Sequence, residues 1–386
     1  YTLDDANRAT ITGYNGSAAA LYIPEEIDGH EVVAIGNGAF EDRTDLRTVM
    51  IPDSVTRIEV WAFYNCNNLS NVTLSNNLNY MGEYAFGNCK KITKIEVPKS
   101  LDSSGGPFKN CDGLKMVTFE KGTTEISSSL FEDCTGLEEI DIPDTVTVIE
   151  NSAFNGCVNL SQITIPDTVT IIDKFAFYDC EKLVSVNIPD SVTKIYDYAF
   201  DDCSNLSNMT LSKNLEYMGE RAFGNCTKIT KIEIPKSLDS SGGPFENCIS
   251  LKKVTFEKGT TKISRSLFAG CNGLEEIYIP DTITVIGNNA FSSCTKLEQI
   301  NFSNKLTKIE SYGFYGCTSL KKITLPDSIN SIENNIFQNC TSLIEVHLSN
   351  ILKEIPVSSF EGCKKLTTIN FPSTPVSYTH LRAHET

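Results

Sequence analysis

Fourteen cysteines are the residues of this chain best suited to chemistry, and they recur at a nearly fixed step from Cys66 to Cys363. Each lies three residues after a phenylalanine, as Cys180 follows Phe177 and Cys203 follows Phe200. A thiolate can attack, ligate zinc or enter a disulfide. Zinc ligands cluster as Cys-x-x-Cys, whereas no two cysteines here are closer than 22 residues. In a stack of coils, successive cysteines would lie about 5 Å apart, within Cα reach of a disulfide, but with parallel rather than facing Cβ vectors. The spacing therefore predicts a column of buried, reduced thiols acting as small hydrophobes.

Other reactive groups are equally sparse. Asp144, Asp167 and Asp190 recur in successive repeats and could share a calcium ion. Each also follows a proline in a turn, where aspartate is favoured for its own local hydrogen bonds, and that is the preferred reading. The Asp-Ser-Ser-Gly-Gly stretches at 102–106 and 239–243 lack the lysine of a phosphate loop. His30 and His347 are too far apart in the repeat order to cooperate, and no His-Glu-x-x-His or Gly-x-Ser-x-Gly occurs. The expectation is a protein that is not an enzyme and needs no metal or cofactor.

What must position these residues is a repeat. Fifteen phenylalanines run from Phe40 to Phe360 at a step of 23, shortened to 22 at 86→108 and 223→245. A period in the twenties marks a solenoid, each unit buried by its neighbours. In Cys180–Asp202, Val186 and Ile188 alternate with polar residues as in a half-buried strand, and Pro189 ends it. Val192 and Ile195 turn back inside, and Tyr198-Ala199-Phe200 is expected to return the chain as a helical turn. The predicted class is an α/β solenoid of about 15 coils of 22–23 residues, with one parallel strand per coil. Leu69–Phe108 and Leu206–Phe245 differ at 6 of 40 positions, so a six-coil block is duplicated. The expected organisation is one domain over 1–372. Within it, 1–40 form a lead-in and first coil, 41–177 and 178–314 the two blocks, and 315–372 the last coils.

The pattern Ile-Pro-Asp-Ser-Val-Thr-x-Ile…Ala-Phe-x-x-Cys-x-x-Leu, with the opening Tyr1-Thr-Leu-Asp-Asp and Ile23-Pro-Glu-Glu-Ile, resembles the BspA-like leucine-rich repeats over residues 1–372. That resemblance implies a right-handed superhelix, no catalytic residues, and a bacterial or protozoan surface or secreted protein that binds host proteins or adheres. Residues 376–386 instead resemble the translation of a transposase-type sequencing adapter. They are expected to lie outside the fold, leaving the last coil without a capping repeat.

The net charge of −16 and the absence of a basic stripe argue against a nucleic-acid partner. No apolar run is long enough to span a bilayer. Binding is expected on the concave strand face of a monomer, with a host matrix or plasma protein as the partner class. The most pointed outward patches are Glu139 with Asp141 and Glu276 with Tyr278, equivalent positions of the two blocks. The alternative is a stiff spacer that presents another domain from the cell envelope, since identical blocks add length without adding a distinct site.

Overall fold

The computed structural model describes residues 1–99, 101–103 and 105–371, and the backbone of 377–378. It divides into two units, Tyr1–Val192 and Thr193–Thr386. In the first, the hairpins Thr2–Leu3 with Ala9–Ile11 and Glu26–Ile27 with His30–Ile35 lead into the coils. Each coil then contributes two strands rather than the single one expected. A strand of three or four residues, such as Glu139–Asp141, pairs in parallel with the next coil's Gln162–Thr164. A two-residue strand, such as Val148–Ile149, pairs with Ile171–Ile172. The second unit repeats this arrangement, with Glu276–Tyr278 on Gln299–Asn301 and Val285–Ile286 on Lys308–Ile309. Of the tail 376–386, only Ser377–Tyr378 is described, as a short strand paired with Glu354–Ile355, and the rest lies outside the described residues.

No helix forms among the described residues, so the α/β expectation narrows to a parallel β-solenoid. The expected helical turn at Ala-Phe is replaced by an arch with a physical cause. Each of the fifteen phenylalanines is flanked at −2 and +2 by a residue in the left-handed region, as at Trp61 (57°) and Asn65 (59°) around Phe63. Two left-handed residues four apart forbid an α-helix and turn alternate peptide groups toward the next coil. Trp61, Phe63 and Asn65 accordingly donate to Glu83 O, Ala85 O and Gly87 O, while Ala62 and Tyr64 donate within their own coil. The +2 position is held by Asp, Asn, Gly or Ser, which tolerate this conformation best. The −2 position carries bulky residues too, including Phe175 and Tyr312, at about 1–2 kcal/mol each.

The interior is a column of fully buried phenylalanines, nearly parallel in each unit. Phe63 and Phe86 sit 4.8 Å apart at 6°, and Phe200 and Phe223 4.9 Å apart at 1°. The spacing opens to 6.3 Å between Phe245 and Phe268, where the Gly-Gly-Pro coil is one residue short. The cysteines are buried and unbridged as expected, but they do more than fill space. Thiol after thiol donates to the phenylalanine carbonyl of the coil before it, as Cys89 Sγ does to Phe63 O at 3.2 Å and Cys271 Sγ to Phe245 O at 3.2 Å. Phe63 O also accepts the Cys66 amide, so both its lone pairs are used. Burial pushes the thiols upward, Cys111, Cys248 and Cys294 to about 12. In the first coil Arg43 takes the thiol's place. Its guanidinium clamps the lead-in by donating to Tyr14 O and Gly16 O and pairing with Asp45.

Among the described residues, one buried charge breaks the apolar pattern. The Asp201 carboxylate is 2% exposed, 3.4 Å from the Arg221 guanidinium, and accepts from the Asp202 amide. Burial raises it to about 6, and Arg221 only partly offsets this. The duplicate coil places Tyr64 and Tyr84 at these positions, with the Tyr64 hydroxyl accepting from Asn88.

Three outcomes follow from this interior. Thiol titration of the native protein should find few reactive groups, and titration in denaturant about fourteen, because protonated buried thiols do not react; rapid native labelling of most of them contradicts the column. Gly316, at φ 69°, has ordinary contact room for a Cβ, so only the backbone conformation resists substitution. Gly316→Val should cost about 2 kcal/mol and Gly316→Asn under about 1, measured by urea unfolding. Asp201 binds its proton more tightly folded than unfolded, so the stability it contributes near pH 4 is lost as pH rises through about 6. Asp201→Asn, which keeps the acceptor oxygen, should flatten that slope and stabilise the protein at pH 7 by at most about 2–3 kcal/mol. An unchanged difference between pH 4.5 and pH 7 unfolding in the variant would refute the assignment.

Candidate binding surface

The three-residue strands separate two kinds of residue by their period of two. The middle residue points inward, as with Ile140 and Ile277, and the flanking residues are exposed. Glu139 and Asp141 therefore stand on the outer face, in register with Gln162 and Thr164. Glu276 and Tyr278 stand likewise beside Gln299 and Asn301, and Tyr278 is 68% exposed. Each expected patch is assembled within its own unit as a local pair of neighbours.

The same faces hold residues that the sequence reading passed over. Tyr22 is 66% exposed and in register with Met50, itself 43% exposed, and Met116 is 59% exposed. All three occupy outward strand positions, so the alternation that singled out Tyr278 could have found them. Large apolar side chains left uncovered on a sheet face are common interface anchors, with Tyr and Met both enriched there.

Two equivalent hollows lie on these faces, one in each unit. The first, about 450 Å³, is lined by Lys94, Glu96, Met116, Thr118 and Glu120 among others. The second, about 410 Å³, has Lys231, Glu233, Lys253, Thr255 and Glu257 at the same places and adds Lys213. A neighbouring hollow of about 560 Å³ in the second unit shares Lys253 and Thr255 and reaches Glu276 and Tyr278.

The turn aspartates Asp53 and Asp327 tie their turns to the next coil instead of making the local bonds expected of them. Asp53 and Asp327 each accept the backbone N–H of the residue 23 positions on, Asn76 and Asn350, at 2.9 Å. Those bonds hold the Asp327 carboxyl below its usual range. Asp144 and Asp167 are exposed, and among the described residues no group of three or more His, Cys, Asp or Glu is placed to hold a metal. His347 sits beside Glu345 and Asn370. No helix among the described residues is long and apolar enough to cross a membrane.

The family model for the BspA-type leucine-rich repeat region matches residues 33–161, 147–275 and 261–381. A leucine-rich repeat protein from Bacteroides ovatus is similar at 26% identity and a TM-score of 0.73, covering 96% of this chain and 91% of its own. A leucine-rich cell surface protein from Faecalibacterium prausnitzii is 26% identical over 99% of this chain and 93% of its own, with a TM-score of 0.45. No curated protein matches the chain. The parallel coils, the Phe–Cys column and the matched repeats together place this chain in the BspA-type leucine-rich repeat family.

Proposed function

We propose that this chain is a non-catalytic protein-binding module acting outside the cell, which engages a host or neighbouring-cell protein through the outer faces of its three-residue strands. The observation that carries this reading is the set of large side chains left exposed at outward strand positions: Tyr22, Met50, Met116 and Tyr278. Exposing them costs solubility and gives the fold nothing, whereas a partner would bury them. Membership of a repeat family of surface-forming coils supports the same reading.

The alternative, a spacer with no ligand, draws on the duplicated blocks. The two copies keep the same buried column but differ outward, where Met116 answers to Lys253 and Asp141 to Tyr278. Length alone does not require outer faces to diverge, so the binding reading accounts for more. Its test is capture of matrix or plasma proteins on the full chain, followed by affinity measurement with the partner recovered. Replacing Tyr22 and Met50 by serine, Tyr278 by alanine, or reversing charge with Glu139→Lys and Glu276→Lys should together weaken binding by at least tenfold, about 1.4 kcal/mol, without changing the unfolding midpoint. If affinity survives all of these and is abolished by changes along the Phe-flanking arches, such as Trp61→Ser, the strand face is only the solvated side of a rod.

A further inference from the structure

The duplicated hollows supply an internal comparison, because one scaffold appears twice with different charges. The first copy sets Lys94 and nearby Asp53 among Glu96 and Glu120, one lysine against three carboxylates. In the second copy Lys213 replaces Asn76 and Lys253 replaces Met116, while Asp190 stands where the first copy has Asp53, so the duplicate keeps the same three carboxylate positions and gains two lysines. Lys253 is the direct register partner of Lys231 on adjacent strands. Their side chains leave the same face about 4.8 Å apart, and like charges placed opposite each other destabilise a sheet. Nearby lysines are neutralised: Lys252 pairs with Glu275 and Lys236 with Glu257, both at 3.7 Å. Among the described residues no carboxylate lies within ion-pair distance of Lys231 or Lys253. Two adjacent cations are thus left facing a hollow whose duplicate has a lysine beside a methionine.

We infer that this hollow and the adjoining one, which share Lys253 and Thr255, form a single groove for an acidic segment of a protein. A pair of carboxylates sits between Lys231 and Lys253, and an apolar side chain lies against the exposed Tyr278 ring. The occupant is a peptide segment rather than a sulfated glycan or nucleic acid because Glu233, Glu257 and Glu276 line the same walls. A ligand of continuous negative charge would meet them, and the net charge of −16 would repel it, whereas a segment with two acidic side chains places its charge only on the lysines. The inference rests on the protein-binding reading and names the chemistry of one part of that surface.

The test uses the full chain and a fluorescein-labelled peptide carrying two adjacent glutamates followed by leucine, with its glutamine counterpart as control, read by fluorescence anisotropy at low and high salt. One site is expected, weakened by salt and absent for the glutamine peptide. The double variant Lys213→Asn with Lys253→Met carries the residues the first unit already accommodates, and should lose roughly tenfold in affinity. The reverse set, Asn76→Lys and Met116→Lys with Asp141→Tyr, should raise the stoichiometry from one site to two. Heparin serves as the competing polyanion. Peptide affinity unchanged by the lysine replacements, or heparin binding that depends on these lysines while the peptide does not bind, overturns the inference. If the peptide fails to bind although a partner is captured through Tyr22 and Met50, this inference falls and the broader proposal stands.

Discussion

The hydrogen bond from a phenylalanine amide to the carbonyl of the residue before the next phenylalanine, as from Phe63 to Ala85 O at 2.7 Å, sets the geometry on which the ordinary coils depend; Phe108 and Phe245, in the shortened Gly-Gly-Pro coils, do not make it, and there the ring spacing opens to 6.1 and 6.3 Å. The bond requires peptide groups that alternate between the neighbouring coil and their own, and only the pair of left-handed residues around each ring provides that alternation. With the arch so held, ring falls over ring within each unit, and a phenylalanine carbonyl such as Phe63 O is left with one lone pair unfilled by the backbone inside the core. A buried acceptor without a donor is costly. A thiol three residues after the next phenylalanine reaches it at 3.1–3.4 Å, whereas an alanine there would leave it unmet. The cysteine period is therefore a consequence of the arch, and burial among apolar neighbours keeps the thiols protonated so that they can donate.

This division of labour leaves the three-residue strands unusually free. Their inward residue belongs to the core, as Ile277 and Val346 do, but their two outward residues contribute little to holding the coil together. Register is maintained by the backbone ladder and by the buried column, so outward positions can change from Met116 to Lys253 or from Asp141 to Tyr278 without altering the fold around them. Because each coil contacts only its neighbours, such changes stay local. A surface of this kind acquires specificity one or two residues at a time.

The repeat and its buried column were legible in the sequence because hydrophobic side chains must recur wherever the backbone does. The Phe–Cys step and the inward Val and Ile of the strand both follow from that periodicity. The Ala-Phe return was misread as a helical turn because bulky residues such as Trp61, Phe175 and Tyr198 occupy its left-handed −2 position, where composition suggests nothing of the kind. Only the Asn, Asp and Gly at +2 hinted at it. The second strand of each coil, two residues long, is too short to show alternation. On the surface, strand alternation alone accounts for the exposure of Glu139, Asp141, Glu276 and Tyr278. The Tyr22–Met50 pair was missed because its two members are 28 residues apart across the irregular lead-in, where the usual step does not apply. The charge contrast between the hollows was equally hidden, since Lys231 and Lys253 become neighbours only through the register of their strands.

Asp201 shows what happens when divergence reaches the interior rather than the face. At this point the first unit uses neutral Tyr64 beside Asn88, while the second buries a carboxylate against Arg221. Taking two charges out of water gains little unless every donor and acceptor is matched, and the Arg221 Nε has no partner. The proton that burial draws onto Asp201 is the sign of that imperfect match. A substitution of the same chemical magnitude, Met116 to Lys253, leaves its charge in water on the outer face and avoids that penalty. The contrast explains why variation between the two copies can accumulate on the strand faces while the Phe–Cys column stays the same, and why recognition by this chain is to be sought on those faces.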